Sequence, residues 1–378
     1  MHVRLLNLSE LLSKKSFFLF GARATGKSTL ITQQLPDAFV IDLLHVRTYR
    51  ALVANPSLLE EMIKDNQKTV VIDEVQKIPE ILDEVHRLIQ KKKIRFLLTG
   101  SSARKLKHGG ANLLAGRARE AKLFPLVSRE IKSFSLLRII NQGGLPEIHG
   151  STEPDEDLES YVATYLRDEI KAEAVTRNVA AFSEFLDIIA RANGQEINYE
   201  AFASDLQTSP GTLKNYLQIL EDTQIGFRLS GYTATKIRKA TVRSKHYLFD
   251  LGVTRQLSGR REIRPKTEEF GAAFEHFIIL EVRAFLSYRR KKIPMHYWRS
   301  TSQFEVDLLL GDQVAIEIKA TDNPTARHTK GLQALMEEGI FSSFLLVYTG
   351  TIERKSANNI RMLPWEIFLD ELWSGQII

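Results

Sequence analysis

The chain contains no cysteine among its 378 residues. That absence excludes disulfides, thiolate catalysis and Cys-ligated zinc, fits a reducing cytoplasm, and leaves oxygen and imidazole as ligands for any metal. Long apolar runs are also missing, since none approaches the roughly 18 residues that would cross a bilayer, so no membrane partner is expected. The opening MHVRLLNLSELLSKK lacks a sustained apolar region and a small-residue cleavage site, so no secretory signal is expected. The nine histidines show neither H-E-x-x-H nor paired spacing, which favours core and surface roles over zinc binding. Internal repeats and low-complexity linkers are absent as well.

What remains is an ordinary globular composition, 43% hydrophobic and 26% charged, in a chain long enough for two or three cores. A net charge of +6 favours an anionic partner, and nucleotide, nucleic acid and anionic lipid would all satisfy it. The first half alternates short apolar runs (16–21, 39–44, 69–74 and 94–102) with amphipathic helices. That pattern implies a parallel sheet covered on both faces, an α/β nucleotide-binding core. We assign residues 1–130 to this core, 131–181 to a helical lid, 182–258 to a winged helix and 259–378 to a C-terminal α/β domain.

In the winged-helix segment, PGTLKNYLQILED follows Ser209 as a cap, with Pro210 at the first helical position. Leu213, Tyr216, Leu217 and Leu220 recur at helical spacing and form its core face, leaving Thr212, Lys214, Asn215 and Gln218 outside. KIRKATVRSKH (236–246) carries five Lys or Arg residues where a wing would lie. RREIRPK (260–266) and RRKK (289–292) add further cations of the kind that neutralise phosphates. DNA is therefore an expected partner, through nonspecific contact of the wing more than through base readout. Tyr297 and Trp298, on a strand beside Arg299, read as packing residues.

GARATGKS (21–28) matches G-x-x-x-x-G-K-[ST] between an apolar strand and a helix-compatible segment. Gly21, Ala22, Arg23, Ala24, Thr25, Gly26, Lys27, Ser28 and Thr29 are the expected nucleotide-binding residues. Their backbone amides and the helix N-terminus cradle phosphate oxygens, Lys27 neutralises the β and γ phosphates, and Ser28 ligands Mg²⁺. TVVIDE delivers Asp73 to a strand end to hold Mg²⁺ through water, with Glu74 polarising the attacking water. In LLTGSS, either Thr99 or Ser101 senses the γ-phosphate, or the segment is simply a hydroxyl-rich strand end. LAGRAR (114–119) sets Arg117 and Arg119 just before the extended AKLFPL, where a guanidinium either reaches a neighbouring subunit's γ-phosphate or stays on the surface.

Taken with GGLPEI (143–148), the KNYLQILEDTQI helix, KHYLFDLG (245–252) and the EVD and EIK strands, these motifs resemble the bacterial and archaeal AAA+ ATPases that carry a fused, uncharacterised C-terminal domain. The resemblance spans nearly the whole chain. It implies an AAA+ P-loop core with helical lid, ATP hydrolysis, and an oligomer in which Arg117 acts as the arginine finger.

FEVDLLLGDQVAIEIK places Asp307, Glu317 and Lys319 in a D-x9-E-x-K pattern. A three-residue loop at Gly311, Asp312 and Gln313 would pair Leu310 with Val314, Leu308 with Ile316 and Val306 with Ile318, all apolar. Asp307 then faces Glu317, with Lys319 beside Glu305. A two-residue loop would bury Asp307 opposite Ile316 at a desolvation cost. Two facing carboxylates need a cation or a proton between them. Glu275 is expected to join them, because Ile278, Ile279 and Val282 turn its helix inward. The assembly is similar to the restriction-endonuclease-like PD-(D/E)-x-K fold, though no Pro-Asp dipeptide precedes it. That resemblance implies a second Mg²⁺ or Mn²⁺, held by Glu275, Asp307 and Glu317 for phosphodiester hydrolysis. The alternative is an ATP-dependent switch that binds DNA or protein through the winged helix and cuts nothing.

Overall fold

A computed structural model describes residues 2–64, 66–102, 104, 106, 113–166 and 179–378. The part of the expected lid at 167–178 lies outside the described residues. The N-terminal elements are α1 (Leu8–Lys14), β1 (Ser16–Phe20), α2 (Lys27–Gln34), β2 (Phe39–Asp42), α3 (Val46–Ala54), α4 (Leu58–Met62), β3 (Thr69–Asp73), α5 (Ile81–Lys92), β4 (Arg95–Gly100) and β5 (Ala118–Lys122). The strands form one parallel sheet in the order β2-β3-β4-β1-β5. Every residue of β1 is buried, as a central strand covered on both faces requires. Because β4 lies between β1 and β3, its C-terminal end sits between the glycine-rich loop after β1 and Asp73. The extended segment after LAGRAR begins earlier than expected, so Arg119 lies within β5 and Arg117 just before it.

Next come α6 (Leu136–Gln142), α7 (Pro146–His149), α8 (Pro154–Ser160), α9 (Val179–Arg191), α10 (Tyr199–Asp205) and α11 (Pro210–Asp222). The Ser209 hydroxyl accepts the Thr212 N–H at 3.1 Å and caps α11, whose first position is Pro210. Leu213, Tyr216, Leu217 and Leu220 are all buried, while Lys214, Asn215 and Gln218 are exposed.

The remaining elements are β6 (Gly226–Gly231), β7 (Ser244–Leu248), α12 (Leu251–Leu257), α13 (Glu268–Tyr288), β8 (Met295–Arg299), β9 (Glu305–Leu310), β10 (Val314–Lys319), α14 (Lys330–Met336), β11 (Ser343–Tyr348), β12 (Arg354–Lys355), β13 (Arg361–Pro364) and α15 (Trp365–Ser374). Their strands form a mixed sheet in the order β12-β13-β11-β10-β9-β8-β6-β7. The hairpin expected to project as a wing is therefore part of the C-terminal sheet. β6 pairs in parallel with β8 through Ser230 with His296 and Gly231 with Tyr297, across the boundary we drew at residue 258. Apolar burial explains the merger, because Leu229 and Tyr247 of the hairpin share a core with Phe274, Phe277, Ile278 and Phe285 of α13. Leu332 and Leu335 of α14 pack with Trp298 and Leu309 in a separate core.

The β9–β10 register pairs Leu310 with Val314 and Leu308 with Ile316, the pairing derived from apolar matching. The expected third pair, Val306 with Ile318, is replaced by another contact. The Ile318 N–H donates to Asp307 Oδ2 at 2.8 Å, and Val306 packs instead with Trp298 and Leu309.

Candidate functional site

The first cluster grows from the break between β1 and α2. Ala24 (φ 62°) and Gly26 (φ 88°) both adopt left-handed backbone, which curls the chain so that successive N–H groups turn toward one concavity. Gly26 is the N-cap of α2 and supplies no side-chain cap, so the first-turn amides keep their donor capacity for a ligand. Gly21 has no room for a side chain, because a Cβ there would lie 2.5 Å from the Leu123 carbonyl oxygen. The loop is held from outside by Tyr161, whose hydroxyl donates to the Arg23 carbonyl at 3.1 Å, and by Arg4, whose guanidinium donates to the Thr25 carbonyl at 2.7 Å. Arg4 is buried, paired with Glu130 at 3.0 Å, and also donates to Tyr288 Oη at 3.3 Å.

Inside the loop, the buried Lys27 ammonium donates to the Gly21 and Ala22 carbonyls at 2.8 and 3.2 Å. The Ser28 hydroxyl donates to Asp73 Oδ2 at 3.3 Å, and the Thr99 hydroxyl donates to the other oxygen of the same carboxylate. Hydroxyls from the first turn of α2 and from β4 thus converge on the carboxylate that ends β3, an oxygen donor set of the kind a hard divalent cation takes. Glu74 is held at φ 59°, an uncommon conformation for a non-glycine residue, with its amide donating to Thr99 Oγ1 at 3.4 Å. Gln76, which sequence reasoning missed, donates to the Glu74 carboxylate and to Ser101 Oγ, the latter at 3.3 Å. Both hydroxyls thus contact this cluster, Thr99 at Asp73 and Ser101 through Gln76. Thr29 lines a neighbouring cavity of about 250 Å³ with His2, Arg4, Gln33, Pro146 and Glu147. Arg117 is half-buried ahead of β5, its backbone N–H bonded to the Leu114 carbonyl at 2.7 Å.

Two of the sequence motifs meet nearby and explain each other. Asp250 of KHYLFDLG caps α12 by accepting the Val253 N–H at 3.0 Å and also accepts the Gly144 N–H of GGLPEI at 2.7 Å. Burial raises its pKa to about 6, against the opposing pull of those backbone donors.

The second cluster sits where β9 and β10 meet α13. Lys319 Nζ lies 2.6 Å from Glu317 and 3.2 Å from Asp307, so an ammonium occupies the space between the facing carboxylates. Burial, followed by the Asp307 charge, raises the Glu317 pKa well above the ordinary carboxylate value. Glu317 Oε2 is buried without a hydrogen-bond partner. Glu275 is turned elsewhere, accepting from Tyr247 Oη at 2.7 Å and from Lys245 Nζ at 3.3 Å. Lys245 also contacts Glu305 at 2.7 Å. Burial works to lower the Lys245 pKa, but Glu275, Tyr247, Glu305 and Asp307 together raise it well above its usual value.

The structure therefore brings Asp307, Glu317 and Lys319 together but not Glu275 as a third member of one ligand set. Among the described residues, no group of three or more His, Asp or Glu side chains is arranged to hold a metal ion. Lys245, read from the sequence as a wing cation, is an interior residue of this cluster. Its signal was present in KHYLFDLG, where a lysine within an apolar strand demands a buried acidic partner. The cluster as a whole sets Glu275, Glu305, Asp307 and Glu317 against Lys245 and Lys319, with Arg299 at 3.8 Å from Glu305. The acids outnumber the lysines and Glu317 Oε2 has no hydrogen-bond partner, but only Asp307 and Glu317 lie together as oxygen ligands that a cation could take.

Residues 13–132 match the model of an AAA domain. Residues 133–264 and 270–368 match two domains of unknown function, DUF8612 and DUF4143. An uncharacterized protein of Haemophilus influenzae is 22% identical over 246 residues, covering 60% of this chain and 60% of the relative. An uncharacterized protein of Methanocaldococcus jannaschii is 24% identical over 284 residues, covering 60% and 59%. The chain thus spans about 60% of the length of these curated relatives. Among solved structures, a signal transduction ATPase with numerous domains, carrying a tetratricopeptide repeat sensor, from Pyrococcus horikoshii aligns at TM-score 0.23 and 14% identity, over 75% of this chain and 47% of that one. Domain III of the Thermotoga maritima replication initiation protein DnaA aligns at TM-score 0.24 and 16% identity, over 57% and 88%. The AAA-domain match supports an AAA-type ATPase core, which takes nucleotide and typically Mg²⁺. Among the described residues, no helix is long and apolar enough to cross a membrane.

Proposed function

We propose that the chain binds and hydrolyses ATP at the loop between β1 and α2 and uses nucleotide state to act on DNA through its C-terminal half. The observation that carries the first part is the convergence of Ser28 and Thr99 on the Asp73 carboxylate, beside a lysine folded into a left-handed glycine-rich loop. Ser28 and Asp73 would hold Mg²⁺, which supplies charge neutralisation on the phosphates. In this reading the loop amides bind the phosphate oxygens, and Lys27 exchanges its two carbonyl acceptors for them. Glu74 orients a water and accepts its proton as the water oxygen bonds to the γ-phosphorus and the bond to the β–γ bridging oxygen breaks. The base and ribose would occupy the cavity between His2, Gln33 and Pro146. Arg117 is assigned to the neighbouring subunit's site in a homo-oligomer.

For the C-terminal half, Asp307 and Glu317 would hold a second Mg²⁺ or Mn²⁺, displacing the Lys319 ammonium, for phosphodiester cleavage of DNA in a restriction-endonuclease-like domain. The lid at 131–181 and winged helix at 182–258 belong to the same reading. One specific observation favours the second reading, a switch that binds without cutting: Glu275 is engaged by Lys245 and Tyr247, and the Lys319 ammonium fills the space between Asp307 and Glu317.

The test is ATP turnover by the full chain beside Lys27→Ala, followed by plasmid cleavage in Mg²⁺ or Mn²⁺ with and without ATP. Turnover absent in Lys27→Ala supports the phosphate site, and full turnover there refutes it. Cleavage lost in both Glu317→Ala and Lys319→Ala supports the nuclease. No cleavage by the parent, with turnover intact, selects the switch.

A further inference from the structure

Away from both clusters, Arg119 of β5 and the consecutive Arg289 and Arg290 that end α13 line one cleft of about 300 Å³ between α1, β5, α13 and α15. Chain segments about 170 residues apart thus bring three guanidinium groups to one concavity. The acid in its lining, Glu10, is already paired with Lys14 at 3.0 Å. Neither Arg119, Arg289 nor Arg290 has a carboxylate within ion-pair distance among the described residues. Instead, Arg289 donates to the Trp373 carbonyl at 3.0 Å, and Arg290 donates to the Glu120 carbonyl while lying 5.3 Å over the Phe17 ring. Neutral acceptors of this kind fix a guanidinium in place and leave its charge uncompensated.

The grouping also costs energy. The Arg290 pKa is lowered by burial and then by the Arg119 charge, which outweigh the nearby Glu120 carboxylate. A helix C-terminus attracts cations through its dipole, which accounts for Arg289 and Arg290 but not for Arg119, supplied by a strand. Forked donors that face one cavity without a carboxylate to neutralise them are the arrangement that recognises phosphate. Besides Asn7 and the Glu10–Lys14 pair, the lining is apolar or aromatic, including Leu11, Phe17 and Trp373, and so offers a surface to a flat organic moiety. The volume falls at the lower end of the range for small-molecule sites. A duplex presents its phosphates on a convex surface, which a cleft of this volume does not admit.

We propose that this cleft binds a small organic phosphate of nucleotide size at a site separate from the phosphate loop, with Arg119 and Arg290 on the phosphate and Phe17 and Trp373 against the organic part. A ligand held this way ties β5 of the N-terminal sheet to α13 of the C-terminal unit.

The test uses the full chain carrying Lys27→Ala, so that the phosphate loop is impaired, and titrates AMP, adenosine and inorganic pyrophosphate by isothermal calorimetry. AMP is expected to bind at least about tenfold more tightly than either adenosine or pyrophosphate, a difference of about 1.4 kcal/mol. Adding Arg290→Ala or Arg119→Ala is expected to weaken AMP at least about tenfold, and Arg290→Lys less, because lysine keeps the charge but loses the fork. All three arginines are exposed or at a surface strand, so an unchanged thermal midpoint will show that these variants fold. Unchanged AMP affinity in Arg290→Ala overturns the proposal, since the ligand is then elsewhere. Absence of AMP binding, pyrophosphate binding as tight as AMP, or binding of DNA alone overturns it too.

Discussion

Replacing Lys245 by methionine removes one of two ammonium groups from the acidic cluster while keeping most of the side-chain volume. Lys245 lies 3.3 Å from Glu275 and 2.7 Å from Glu305, and its side chain is 7% exposed. Breaking a buried pair by removing one partner costs about 3–5 kcal/mol, because the remaining charge is stranded in a poorly solvating interior. Here Glu275 keeps only the Tyr247 hydroxyl and Glu305 only the more distant Arg299, with Asp307 close enough to add to the repulsion. The loss should depend on pH. In the parent the Lys245 pKa is raised above its unfolded value, so its contribution is complete below that value and falls away only as pH rises through the folded pKa. Both pH 5 and pH 8 therefore lie on the plateau of the Lys245 contribution in the parent. In the variant, Glu275 and Glu317, already raised by burial, relieve the repulsion by taking up protons more readily at pH 5 than at pH 8. Urea unfolding followed by tryptophan fluorescence should report a loss of about 3–5 kcal/mol at pH 8 and a smaller loss at pH 5. The buried Trp298 on β8 lies in the same sheet and serves as the reporter. A loss below about 1 kcal/mol, or one equal at the two pH values, would refute the account of a charge-balanced cluster.

Glu281 is buried and accepts from the Ser128 N–H at 2.6 Å, the Ser128 hydroxyl at 2.9 Å and Trp373 Nε1 at 2.8 Å, yet burial raises its pKa to about 7. A carboxyl raised in the folded state contributes stability below its unfolded pKa that is lost as pH rises through about 7. Glu281→Gln cannot ionise, so its stability relative to the parent should rise between pH 5 and pH 8 by on the order of 2 kcal/mol; a flat difference in urea midpoints contradicts this. Gly21→Ala should weaken binding of a fluorescent ATP analogue at least about tenfold, because its Cβ would strike the Leu123 carbonyl 2.5 Å away; unchanged affinity would show that the loop has slack. Arg117→Ala should leave nucleotide affinity intact and reduce turnover by at least about a hundredfold; an unchanged rate makes Arg117 a surface residue.

Local pattern made part of this molecule legible from sequence. The strand before GARATGKS, the cap at Ser209, the buried face of α11 and the Leu310–Val314 register all follow from spacing over a few residues. What was not legible depended on distance along the chain. Nothing near residues 226–248 announces that β6 pairs with a strand some seventy residues later, so the cations of 236–246 read as one wing although Lys245 is interior. Glu275 was placed correctly on an inward-facing helix, but its partner could not be inferred, because Lys245 and Tyr247 reach it only through that long-range pairing. Arg4 escaped notice for the same reason, since its contacts with Thr25, Glu130 and Tyr288 span separations from 21 to 284 residues.

The shared sheet also bears on how the chain can be divided. Its outer strands β6 and β7 come from before residue 258 and β8 from after it, so a cut at that position would leave β6 with one open edge and expose Tyr297 and Trp298 on the other fragment. Unpaired edges and bared aromatics of this kind invite self-association. The two halves should therefore aggregate when expressed apart and recover solubility when co-expressed, as fragments that complement each other through a common sheet.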